Sequence, residues 1–301
     1  MLRLLEMTKS KFEGTGVALV TPFKASGEID FEALKRILKY TADGGVDYYV
    51  VLGTTGEPAT LEKEEKREIL KFVIENNIKK LPIVFGLGGN NTAEIIKGLD
   101  DYDLSGVDAL LSVSPYYNKP SQEGIYQHFM KIADSSPKPI IVYNVPGRTS
   151  SNMTAQTTIR LSYHANIIGL KEACSDMVQA MEVAKSKPAG FQLISGDDML
   201  TLPMISFGGK GAISVAANAF PKLFTAGVNN ALEGNFEEAT SAHFKFLEIN
   251  PLLYIESSPV GIKTCLEYLG LCSAEVRLPL VKCSAKLKGE IEGWIDKYKL
   301  S

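Results

Sequence analysis

The chain has 301 residues, 45% of them hydrophobic and 22% charged, with a formal net charge of −3. That balance describes a globular protein with material for a large core and no basic surface of the kind nucleic acid demands, so small molecules are the expected partners. No apolar run approaches the roughly 20 residues of a membrane span and Met1 to Ser10 lack a secretory-signal pattern, so the expected compartment is the cytoplasm, with no membrane association.

Short β-rich runs alternate with amphipathic segments along the chain. Val17–Val20 is the first apolar run, closed by Thr21-Pro22. Asp30 is placed to cap a helix whose apolar positions Phe31, Leu34, Ile37 and Leu38 have helical spacing. Tyr48–Leu52 follows, then the turn Gly53-Thr54-Thr55-Gly56-Glu57-Pro58 and a charged helix from Glu62 to about Asn76. Ile83–Phe85, Ala109–Val113, Ile140–Tyr143, Ile167–Leu170, Gln192–Ser195 and Ala212–Val215 supply six further strand candidates, separated by helix-length segments. Such β-α alternation predicts a parallel (β/α)8 TIM barrel, and an open doubly wound sheet usually needs fewer strands. After Phe220 the β signal ends. Helices are expected around 221–234, 236–248, 258–269 and 274–297, more than the barrel needs. The expected division is therefore a catalytic barrel over 1–235 and a C-terminal helical appendage over 236–301.

Active sites of this fold gather where strands end and βα loops begin. At those ends stand Thr54 and Thr55, Tyr116 and Tyr117, Tyr143 and Arg148, and Lys171, which closes the apolar run Ile167-Ile168-Gly169-Leu170. A lysine pointing from a strand end into an apolar cavity loses solvation, so its pKa falls and the free amine is able to form a Schiff base. Imine chemistry also needs a proton shuttle, hydroxyls to hold or relay, and a guanidinium to orient an acidic substrate. Each piece has a purely structural reading as well: a snorkelling lysine, a tight Gly53–Gly56 turn, an aromatic cover at Pro115–Asn118, a Pro-Gly turn before a solvated arginine. Gly208-Gly209-Lys210-Gly211 lacks the P-loop pattern, and Asp197 and Asp198 nearby would repel a phosphate. His128, His164 and His243 are scattered away from predicted strand ends, and Cys174, Cys265, Cys272 and Cys283 show no paired spacing. No metal site is expected.

Taken together, GTTGEPATL, SPYYNKPSQEGIYQHF, YNVPGRTS, GLKEAC, SGDD and GGKGAIS, in order from about Gly14 to Phe220, resemble the signatures of the 4-hydroxy-tetrahydrodipicolinate (dihydrodipicolinate) synthases. These belong to a superfamily of Schiff-base-forming barrel lyases that includes N-acetylneuraminate lyase and 2-keto-3-deoxy sugar-acid aldolases. The resemblance implies that pyruvate forms an imine with Lys171, whose enamine attacks L-aspartate 4-semialdehyde in lysine (diaminopimelate) biosynthesis, without a cofactor. It implies Tyr143 as the acid/base group, Thr55 as its link to Tyr117, and Thr54 with Thr55 as holders of pyruvate's carboxylate. Arg148 would grip the semialdehyde carboxylate, and the Gly196 and Ile213 loops would line the pyruvate pocket. It further implies a homotetramer built as a dimer of dimers, with Tyr117 reaching a neighbour's site. A sugar-acid lyase of the same superfamily is the alternative, with little use for Arg148, and a non-catalytic pyruvate-binding barrel is a third class.

Lysine-inhibited members of the family bind L-lysine in a pocket that would here involve Pro58, Ala59, Lys63, Lys66, Asn90, Glu94 and Tyr116. Lys63 and Lys66 would oppose lysine's own ammonium, so weak or absent feedback inhibition is expected.

Overall fold

The computed structural model describes residues 10–299. Among them eight parallel strands close into a barrel in sequence order, each paired with its neighbours and β8 with β1. They are β1 (Gly14–Ala18), β2 (Tyr48–Val51), β3 (Ile83–Gly86), β4 (Ala109–Val113), β5 (Ile140–Asn144), β6 (Ile167–Glu172), β7 (Gln192–Ser195) and β8 (Gly211–Ser214). Helices cover the outside, so the strands are buried on both faces, which is why they read as continuous apolar runs instead of alternating ones.

The alternation of side chains across each strand divides the core in two. Val50, Val84, Leu111, Ile141, Ile194 and Ile213 pack inside the barrel, with Phe12 and Tyr48 in edge contact at 5.5 Å. The larger shell lies between strands and helices. Helix entries are capped as their sequences suggest. Asp30 accepts the Ala33 N–H at 2.9 Å, and Glu62 and Glu65 form a capping box on the helix Lys63–Asn76.

Several boundaries differ from the sequence expectation by a residue or two, β6 among them, which runs on through Lys171 to Glu172, and three differences have a physical reason. β1 begins at Gly14 instead of Val17, because Gly16 belongs to the strand for a steric reason that hydropathy does not register: a Cβ there would fall 2.2 Å from the Tyr48 ring. The helix expected over 236–248 runs from Phe236 to Tyr254, through Pro251. The segment expected as helix from 274 becomes helical only at Ala285, since Pro279 has no N–H to give and Arg277 spends its donors elsewhere.

Candidate active site

The C-terminal ends of β2 to β5 and their loops surround a cavity of about 540 Å³. Thr54, Pro58, Ala59, Tyr116, Tyr143 and Arg148 stand on its wall, together with Lys66. Ser257, Ser258, Pro259, Pro279 and Leu280 close another side, a contribution from the C-terminal helical region that no loop motif announces.

Lys171 and Tyr143 are register partners on β6 and β5. The ammonium lies 4.3 Å from the centre of the Tyr143 ring, and Lys171 is only 5% exposed. Burial brings its pKa down to about 8; Asp198 pulls the other way and Arg148 adds to the fall. Gly196 packs against the lysine stem, where a Cβ would come within 3.0 Å of Cε. Ile213 is buried in the same inner layer. The Tyr143 phenol is pushed up by burial, against the Arg148 charge and a hydrogen bond from Thr54.

That bond separates the two threonines. Thr54 opens the 3-10 turn Thr54–Gly56 and faces the cavity, whereas Thr55 is buried beneath it. Within this subunit the hydroxyl that bears on the Tyr143 phenol is that of Thr54, whereas the resemblance implies Thr55 in that place. Arg148 sits on the short helix Pro146–Thr149 with its side chain exposed at the cavity. Tyr116 is half exposed on the cavity wall, and Tyr117, at φ 71°, is 89% exposed and points away from this subunit's core.

Two carboxyls, Glu172 and Asp198, are buried beside the lysine strand, and the sequence alone assigns neither of them a place in the site. Glu172, one residue beyond Lys171, must face the opposite side of the strand. Its carboxylate accepts N–H groups from Cys174 at 2.8 Å, Asn144 at 2.9 and 3.2 Å and Gln179 at 3.2 Å, while burial raises its pKa to about 7. The alternation rule would have flagged it. Asp198, in the SGDD stretch, is raised to about 6 by burial against bonds from the Ala216 and Val215 amides at 2.8 and 3.2 Å.

The threonine turn is lashed to the C-terminal region. Glu57, at φ 54°, takes the ammonium of the fully buried Lys263 at 2.5 Å and the Arg277 N–H at 3.1 Å. The Arg277 guanidinium holds Glu65 with two bonds at 2.5 and 2.7 Å and bonds the Thr60 carbonyl at 2.9 Å.

Of the remaining candidates, Lys63 pairs with Asp101. Asn90 donates to the Tyr116 carbonyl at 3.1 Å, and Glu94 is exposed on the helix Thr92–Gly98. Lys210 of the glycine-rich stretch lies before β8, at the opposite end of the barrel, and pairs with Glu13 at 3.0 Å.

The model of the Dihydrodipicolinate synthetase family matches residues 11–297. A 4-hydroxy-tetrahydrodipicolinate synthase of Cytophaga hutchinsonii is 51% identical over 93% of this chain and 95% of its own. One of Flavobacterium psychrophilum is 49% identical over 93% and 96%. The crystal structure of the dihydrodipicolinate synthase of Thermotoga maritima superposes with a TM-score of 0.94 at 35% identity, over 97% of this chain and 100% of that one. With a barrel, a buried strand-end lysine and matches of this extent, the chain belongs to the dihydrodipicolinate synthetase family.

Proposed function

We propose that the cavity carries out the reaction of a 4-hydroxy-tetrahydrodipicolinate synthase on pyruvate and L-aspartate 4-semialdehyde, through an imine on Lys171. The chain is an enzyme of the lyase class. The observation that carries this reading is the buried Lys171 ammonium over the Tyr143 ring, beside a cavity with an arginine on its wall.

The free amine of Lys171 attacks the keto carbon of pyruvate, and the Tyr143 hydroxyl protonates the departing oxygen, which leaves as water. Loss of a proton from the methyl carbon gives the enamine, whose carbon attacks the aldehyde of the semialdehyde. The semialdehyde's amino group then displaces Lys171 from the imine carbon, closing the ring and returning the free amine. No cofactor enters, because the imine nitrogen itself takes up the electron pair. Thr54 is the partner of Tyr143 in the relay toward Tyr117, and Thr54 and Thr55 hold pyruvate's carboxylate. Arg148 takes the carboxylate of the semialdehyde as a charge-assisted pair. Gly196 and Ile213 wall the pyruvate side.

Assembly belongs to the same proposal. The outward Tyr117 is suited to enter a neighbour's site, in a homotetramer made of two dimers. We take 1–235 as the catalytic barrel and 236–301 as its helical appendage, and the cytoplasm as the compartment; no helix among the described residues is long and apolar enough to cross a membrane.

Borohydride reduction in the presence of pyruvate tests the core of the proposal. A stable adduct should map to Lys171 by peptide mass spectrometry, and parallel assays should show condensation with the semialdehyde and no cleavage of sugar acids. An adduct on another lysine removes the mechanism; sugar-acid cleavage without condensation assigns the chain to the superfamily's lyases.

A further inference from the structure

Asp198 is 2% exposed, and its two oxygens are treated very differently. Oδ2 accepts the amides of Val215 and Ala216, and the Ser214 hydroxyl also bears on the carboxylate. Oδ1 is buried and meets no hydrogen-bond partner among the described residues. A carboxylate oxygen left so is costly.

Beside it lies a cavity of about 20 Å³ between the β7 end and the C-terminal helices. Its only polar side chains are Asp198, Thr201 and His243; the others, such as Phe224 and Phe246, are apolar. That volume has room for one water molecule, and an internal water needs two or more polar partners. Thr201 donates to the Asp197 carbonyl at 3.0 Å and keeps an acceptor lone pair. The His243 ring bonds the backbone of Met199, which leaves its second nitrogen for another partner.

We propose that this cavity seats one water that donates to Asp198 Oδ1 and bonds the His243 ring, and that this water maintains Asp198 as the anion balancing the Lys171 ammonium. The proposal rests on Lys171 as the imine-forming group. Lys171 is faced by Asp198, Arg148 and the Tyr143 ring. Asp198 is faced by Lys171 from β6 and by its neighbour Asp197, with Tyr254 and His243 contributed by the helix Phe236–Tyr254. Without the water, the Asp198 anion loses a donor and takes up a proton more readily. A neutral Asp198 no longer supports the ammonium, so Lys171 gives up its proton at lower pH.

The experiment follows the rate of borohydride-trappable pyruvate imine against pH in Asp198→Asn, His243→Phe and His243→Gln. The acid limb should move to lower pH by about 0.5–1 unit in the first two, and stay in place in the third, whose amide is able to hold the water. His243 is partly exposed, so its variants read the effect even where Asp198→Asn folds poorly. A limb that moves in Asp198→Asn but not in His243→Phe overturns the water bridge, and one unmoved in both overturns Asp198 as the balancing anion. A shift to higher pH in His243→Phe also defeats the proposal. If the unaltered protein traps no pyruvate on Lys171, it is the parent mechanism that fails. A high-resolution crystal structure should show one peak of water density between Asp198 Oδ1 and the His243 ring; density for two or more waters, or none, contradicts it.

Discussion

Lys171 and Tyr143 are paired in register across β5 and β6, with the ammonium 4.3 Å from the ring centre. Two effects of opposite sign therefore meet on one group. The ring's electrons favour the charged amine, by about 0.5–2 kcal/mol in comparable pairs. Burial favours the neutral one and wins, leaving the pKa at about 8. The same strand pairing puts the Tyr143 ring beside the nitrogen that, on the proposed reading, its hydroxyl serves.

The first prediction follows from that value. The rate of imine formation with pyruvate should rise with pH and level off above about 8. At pH 7 roughly 10% of the lysine would be free amine, against ~0.03% for a solvated lysine. Stopped-flow or quenched borohydride trapping across pH 6–10 reads the curve. A rate still climbing at pH 10 would mean that burial does not tune this amine. Lys171→Arg should trap nothing, since a guanidinium keeps its proton.

On the proposed reading Arg148 serves the semialdehyde alone, and Lys171 the pyruvate. Arg148→Ala should still form the pyruvate imine, with the acid limb at slightly higher pH, because the arginine's charge helps to lower the Lys171 pKa. Loss of its contact with the semialdehyde carboxylate should cost about 2–4 kcal/mol, roughly 30- to 1000-fold in kcat/KM for that substrate. Normal condensation in this variant would place the semialdehyde carboxylate elsewhere.

Much of this site is legible because the chemistry sits at strand ends, where a parallel barrel must put it. The apolar run before Lys171, and the turn residues around Thr54 and Arg148, follow from local rules. What the sequence hides is long-range. Nothing near Glu57 foretells that its partners are Lys263 and Arg277, more than 200 residues away. Thr54 and Thr55 are indistinguishable until a 3-10 turn exposes one and buries the other. The C-terminal wall at Ser257–Pro259 was invisible for the same reason: its residues carry no chemistry, only position.

The buried pair Lys263–Glu57 yields the third prediction. Lys263 is fully buried, also donates to the Glu275 carbonyl at 2.8 Å and lies 4.2 Å from the Phe23 ring centre. Lys263→Met leaves the Glu57 carboxylate buried with the Arg277 N–H alone, and should destabilise the fold by about 3–5 kcal/mol. Adding Glu57→Gln removes the stranded charge, so the double variant should recover part of that loss. Urea unfolding of both, with the single Glu57→Gln, closes the cycle; additive losses would show that the pair is uncoupled.

Feedback inhibition supplies the last prediction, and the structure narrows its basis. The resemblance implies two ammonium groups opposing a bound L-lysine, but Lys63 is paired with Asp101 and does not line the cavity. Lys66 remains, on the cavity wall with Pro58, Ala59 and Tyr116, its pKa lowered by burial while Glu62 and Glu65 partly counter the shift. Asn90 has a donor engaged by the Tyr116 carbonyl, and Glu94 stands exposed on its helix. A ligand ammonium arriving here meets Lys66, with Arg148 on the same cavity wall, a proline without a hydroxyl, and no carboxylate on the cavity side except Glu57, which is bound to Lys263. Inhibition by L-lysine should therefore be weak or absent. Lys66→Ala should increase sensitivity, because removing the cation lifts the repulsion without touching Lys171 or Tyr143. Initial rates against lysine at subsaturating pyruvate, for both proteins, decide the matter. Strong inhibition of the unaltered protein at submillimolar lysine, or no gain in Lys66→Ala, would show that Lys66 does not govern the pocket.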